Sequence, residues 1–144
     1  MTITMEKKPT RIAGRSRLAV VGATVVAGLA GWALLAYAAG IDLQAKQGPA
    51  TIEVGGVSVF FASAVMSFAG WGLLALLEHK TINARKVWTV VAVIACIMSA
   101  VSPLTSGIGA GSKLGLASLH LLVGATVILG LRRTALSADD RCIP

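Results

Sequence analysis

Charge is what this sequence has least of. Only 13% of its 144 residues are Asp, Glu, Lys or Arg, about half the share that soluble domains carry. A water-soluble chain of this size has no interior large enough to hide its 56% hydrophobic content, because small domains are mostly surface. Aromatic residues amount to 5% and do not interleave with basic ones, so the stacking platforms of nucleic-acid binders are missing. The formal net charge of +7 therefore does not point to nucleic acid as a partner. There are two cysteines, Cys96 in an apolar run and Cys142 in a polar tail. A disulfide needs Cα atoms within about 7 Å, which that placement does not favour. Neither cysteine belongs to a C-x-x-C or metal-ligand spacing, and Cys142 does not sit in a prenylation box. The two histidines, His79 and His120, fall on opposite sides of the expected membrane, too few and too far apart for a metal centre. No cofactor and no metal are expected.

The apolar residues are gathered into long uncharged runs. A helix needs roughly 20 apolar residues to cross about 30 Å of hydrocarbon. Four segments qualify, 18–39, 57–77, 87–104 and 114–131, and none contains Asp, Glu, Lys or Arg. The expected fold is an all-α membrane protein, a bundle of four transmembrane helices. Residues 1–17 read as a basic, disordered arm, 18–133 as the membrane domain and 134–144 as a short tail.

Basic residues give the direction. Five lie in the arm (Lys7, Lys8, Arg11, Arg15, Arg17), three between spans two and three (Lys80, Arg85, Lys86) and three after span four (Arg132, Arg133, Arg141). The other two gaps hold only Lys46 and Lys113. By the positive-inside rule both termini face the cytoplasm. The arm is expected to meet anionic lipid headgroups, each basic residue near the surface contributing about 1 kcal/mol. A competing reading takes the basic start, the first apolar run and Ala36-Tyr37-Ala38 as a signal peptide with an A-x-A cleavage site. That run is longer than the 7–15 residues of a signal core, and cleavage would leave three spans.

In the first gap, Ile41-Asp42-Leu43-Gln44-Ala45-Lys46 and Thr51-Ile52-Glu53-Val54 alternate apolar with polar around Gln47-Gly48-Pro49-Ala50. This predicts a short β-hairpin with Leu43, Ala45, Ile52 and Val54 on the face that covers the bundle. Small residues guide helix association in lipid. Ala19, Ala23, Ala27 and Gly31 recur every four residues in span one and mark its expected packing face, within one chain or between copies. Ala30-Gly31-Trp32-Ala33-Leu34-Leu35-Ala36 nearly repeats as Ala69-Gly70-Trp71-Gly72-Leu73-Leu74-Ala75. The similarity ends at once on both flanks, as coincidence in an Ala-, Gly- and Leu-rich chain would. At the inner surface Glu78 is expected to pair with Arg85 or Lys86, and Trp88 to anchor an interface.

Polar groups inside hydrocarbon are where function is first sought. His120, Ser99 and Ser63 come out at similar depth and form a candidate buried polar cluster, in which a serine on each side satisfies the imidazole. As a proton carrier His120 would exploit an unperturbed pKa of about 6.5, but relays use chains of ionisable groups, often carboxylates, and no Asp, Glu, Lys, Arg or second His lies within the spans. An interhelical hydrogen bond is the plainer role.

Several stretches are familiar as a set: Gly40-Ile41-Asp42-Leu43, Gly70-Trp71-Gly72-Leu73-Leu74-Ala75-Leu76-Leu77-Glu78, Arg85-Lys86-Val87-Trp88-Thr89-Val90-Val91, Ser102-Pro103-Leu104, Leu119-His120-Leu121-Leu122-Val123-Gly124-Ala125 and Gly130-Leu131-Arg132-Arg133. In order and spacing, from residue 18 to 133, the chain resembles a family of small four-span membrane proteins of high-GC bacteria whose function is unknown. The resemblance implies a bacterial cytoplasmic membrane and a four-helix bundle, and it transfers no activity or ligand. The leading functional expectation is a non-enzymatic accessory or interaction protein, its partner another membrane protein or a second copy. The alternative is a small-solute transporter or channel with His120 as its intramembrane polar residue.

Overall fold

The computed structural model describes the chain over residues 10–135, with side chains from Gly14 onward. Lys7 and Lys8, the side chain of Arg11, and the tail with Arg141 and Cys142 lie outside the described residues. Four helices follow one another, α1 (Thr10–Ala33), α2 (Gly56–Lys80), α3 (Ala84–Ser106) and α4 (Gly109–Thr134). All four are long and apolar enough to cross a membrane. Each extends past its uncharged run, since helical hydrogen bonding does not stop where the apolar residues do. Thus α1 begins at Thr10, inside the segment read as an arm. It ends in a π-helical turn, Leu34–Ala38, where the Ala39 N–H reaches back to the Leu34 carbonyl at 2.9 Å. Gly40, at φ 61°, then turns the chain in a conformation that glycine adopts without steric cost.

The predicted hairpin is present. Strands β1 (Gln44–Gln47) and β2 (Ala50–Glu53) pair antiparallel, with Gln44 opposite Glu53 and Ala45 opposite Ile52. Gly48 at φ 63° opens the two-residue turn, the placement that II′ turns favour. Leu43, Ala45 and Val54 do cover the bundle, packing around Leu116 and Leu119. Ile52 on the same face stays exposed, because β2 is the outer strand. The hairpin is fastened by its neighbours: the Ile108 N–H donates to the Gln44 carbonyl at 3.1 Å, and Ala45 bridges to Gly107.

The helices pack in the order α2, α1, α4, α3. The packing face of α1 differs from the expected stripe. Ala19 and Ala23 are exposed and Ala27 is half-buried, while Gly31 meets Leu119 and Leu122 of α4. The buried residues are Arg17, Val21, Thr24 and Gly28, a face rotated from the alanines. Small size at a four-residue spacing permits close approach, but the positions of α2 and α4 decide which face is used. The glycines of the two near-repeats have parallel roles, since Gly70 packs on Val127 and Leu131 as Gly31 does on the opposite half of α4.

Two apolar clusters close the ends of the bundle. Leu43, Leu116 and Leu119 lie under the hairpin, and Leu74, Trp88, Val127 and Leu131 lie at the basic end. Between them, only 11% to 33% of each helix's most apolar window is buried. Phe60, Phe61, Val90, Ile94, Ile97 and Leu121 all face outward, so the bundle presents an apolar exterior far larger than the patches of soluble monomers.

Candidate functional site

Helices α2 and α3 meet near their connection and enclose a cleft beyond it, with α4 as the back wall. The meeting point is specific. Trp88, 1% exposed, donates its indole N–H to the Gly70 carbonyl at 2.9 Å, and Leu74 and Leu131, both fully buried, pack with Trp88 in one cluster. Trp88 is thus a core residue that ties α3 to α2, where the sequence placed an interfacial anchor. Above this floor the cleft is half-open, with a volume of about 370 Å³, inside the range of roughly 300–1,000 Å³ typical of small-molecule sites. Small residues make the space: Ala62, Ala69, Ala92 and Ala95 stand in its walls. Leu116 and Val54 border it toward the hairpin.

His120, Ser99 and Ser63 all line this cleft. Among the described residues they do not form a hydrogen-bonded cluster, and the His120 ring and the Ser99 hydroxyl are each served by a carbonyl of their own helix. His120 Nδ1 lies 2.9 Å from the Leu116 carbonyl of its own helix, and its ring is exposed. The Ser99 hydroxyl donates to the Cys96 carbonyl at 3.2 Å. Ser63 is 2% exposed, with its hydroxyl where a Cβ on Gly28 of α1 would fall, and its carbonyl accepts from Ser67 at 2.7 Å. Thr24 and Thr126 likewise donate to Val20 and Leu122 one turn back. Such back-bonding satisfies a hydroxyl in hydrocarbon without a partner helix. Cys96 is a free thiol packed against Gly124 of α4. Among the described residues, no group of three His, Cys, Asp or Glu is placed to hold a metal ion.

Two polar features escaped the sequence reading, and only the first had a signal there. Proline lacks an N–H, so Pro103, inside α3, cannot donate to the Ser99 carbonyl four residues earlier. That leaves an acceptor unserved by the helix at a residue of the cleft wall. Ser112, buried at the start of α4, holds the hairpin by donating to the Asp42 carbonyl at 2.6 Å and accepting from the Gln44 N–H at 3.2 Å. Nothing in spacing or composition singles it out.

At the basic end Glu78 pairs with Arg17 of α1, not with Arg85 or Lys86. Arg17 Nη2 lies 2.7 and 2.9 Å from the two carboxylate oxygens and 3.3 Å from the Thr134 carbonyl of α4. The two side chains are 7% and 10% exposed, and Arg17 Nε is buried without a hydrogen-bond partner among the described residues. Arg85 and Lys86 are exposed at the start of α3. One guanidinium therefore joins three helix ends.

Four helices that are each long and apolar enough to cross a membrane suggest a multi-pass membrane protein. Within that class the chain belongs to the family of unknown function DUF6069, whose profile matches residues 8–137. No curated protein and no solved structure matches it.

Proposed function

We propose that this chain is a multi-pass protein of the bacterial cytoplasmic membrane which acts by holding an apolar molecule in its lateral cleft, without catalysing a reaction. The apolar exterior supports insertion, because lipid is the solvent such a surface fits. The charges support the orientation: Arg17, Lys80, Arg85, Lys86, Arg132 and Arg133 gather at one end and Lys46 and Lys113 at the other. Both termini then lie in the cytoplasm, where the arm meets anionic headgroups, and the hairpin lies outside. The packing of α1 between α2 and α4 favours its retention as the first span.

The observation that carries the binding reading is the cleft's closed floor. A conducting path must reach both ends of the bundle, whereas here the Trp88–Gly70 bond, Leu74 and Leu131 seal one end. A side opening between α2 and α3 instead admits a molecule already dissolved in the bilayer. The protein then serves as an accessory component that stores that molecule or presents it to a partner. Native mass spectrometry from membrane mimetic tests this. The wild type is expected at its full-length mass with a stoichiometric small-molecule adduct, and Ala95→Phe, which fills the cleft, is expected to lose the adduct. Identical spectra for the two proteins, or solute flux through wild-type protein in sealed vesicles, would overturn the reading.

A further inference from the structure

We infer that the cleft takes a neutral, lipid-soluble molecule whose polar group is a hydroxyl, and that this hydroxyl donates its proton to Nε2 of His120. The inference rests on the binding reading above and names its ligand class. It begins with the ring's tautomer. A carbonyl oxygen only accepts, so the 2.9 Å contact between Nδ1 and the Leu116 carbonyl requires the proton on Nδ1. In the neutral ring Nε2 is then a bare acceptor. Because Nδ1 is turned to the backbone of α4, Nε2 on the far side of the ring projects away from that helix. Among the described residues, no donor is paired with it.

Acceptors facing an apolar medium stay costly until a donor arrives. Water suits the place poorly, since a held water needs two to four polar partners and the walls are almost wholly apolar. No Lys or Arg lines the cleft, which argues against phosphate or carboxylate headgroups. A pure hydrocarbon would leave Nε2 unserved. An alcohol or phenol on an apolar body meets each condition, and Ser58 in the α2 wall carries a hydroxyl for its oxygen.

The test uses 4-octylphenol and its methyl ether, 4-octylanisole, titrated calorimetrically into the full-length protein in dodecyl maltoside micelles. The two probes share an apolar body and differ in the donor. The wild type is expected to bind the phenol about tenfold more tightly than the ether, equivalent to about 1.4 kcal/mol. His120→Leu should erase that ratio, and Ala95→Phe should weaken both probes together. Equal affinity of the wild type for the two probes, or a ratio that persists in His120→Leu, would overturn the hydroxyl assignment. In those cases weakening by Ala95→Phe would still uphold the cleft as a binding site. If the wild type binds neither probe, or Ala95→Phe leaves both affinities unchanged, the hydroxyl assignment and the cleft reading fall together.

Discussion

Single residues decide how close these helices come and how their ends are joined. Arg17 and Glu78 are both largely buried, and removing Arg17 takes away the guanidinium that holds both carboxylate oxygens; breaking a buried pair costs roughly 3–5 kcal/mol. Arg17→Ala should therefore lower the thermal midpoint of the protein in micelles strongly. Arg85→Ala and Lys86→Ala, at exposed positions, should scarcely move it. Equal shifts for all three would mean that the pair does not hold the three helix ends. A second test concerns α3 and α4, which approach where Gly124 faces the Cys96 thiol. A methyl group there runs into sulfur, and overpacking typically costs about 1–3 kcal/mol. Gly124→Ala is expected to destabilise by that amount, and Cys96→Ala in the same chain to restore most of it. Additive effects in this double-mutant cycle would show that the two residues do not meet.

At the scale of elements, the hairpin shows how a marginal unit becomes fixed. Two short strands are unstable alone in water, and here Ser112, Ile108 and the Trp32 indole, which donates to the Val54 carbonyl at 2.8 Å, hold them to the bundle. Ser112→Ala removes a donor and an acceptor together. Hydrogen exchange at the Gln44 and Ile108 amides should then quicken about fivefold, in line with the loss of about 1 kcal/mol of hydrogen bonding, while amides inside the helices keep their rates. Unchanged exchange at Gln44 would rule out Ser112 as the fastener. The existence of the hairpin was legible, because alternation and a Gly-Pro turn are local signals. The four helices were legible too, since an uncharged apolar run of membrane length has few other uses. The rotation of α1 was not. Almost every residue of a helix in lipid is apolar, so periodicity no longer separates the inward face from the outward one, and Ala19 and Ala23 looked as suited to packing as Val21 and Thr24. His120, Ser99 and Ser63 line one cleft, but their bonding does not follow from a depth count along the spans. The Ser99 hydroxyl and the His120 ring each had a carbonyl of their own helix within reach, and the nearer acceptor won.

For the molecule as a whole, the open question is which way the bundle sits, and its two ends differ enough to answer it. One end is closed by a buried ion pair and ringed with basic side chains, and the other is capped by a hairpin that carries Lys46 and the acids Asp42 and Glu53. Basic residues near span ends resist translocation, whereas acidic ones contribute little. The hairpin end should therefore be the one exported. Single cysteines placed at Lys46 and at Arg133, in a chain with Cys96→Ala and Cys142→Ser, report on each end by reaction with a membrane-impermeant maleimide. Lys46→Cys is expected to label in intact cells and Arg133→Cys only after permeabilisation. The reverse pattern would invert the protein and place the basic end outside. Labelling at both positions in intact cells would break the four-span topology itself, because Lys46 and Arg133 lie at opposite ends of the same bundle. The cleft enters the same geometry. Its floor at Trp88 lies toward the basic end and its border at Val54 toward the hairpin, so in the expected orientation a bound molecule sits nearer the outer leaflet, sealed from the cytoplasm by Leu74 and Leu131.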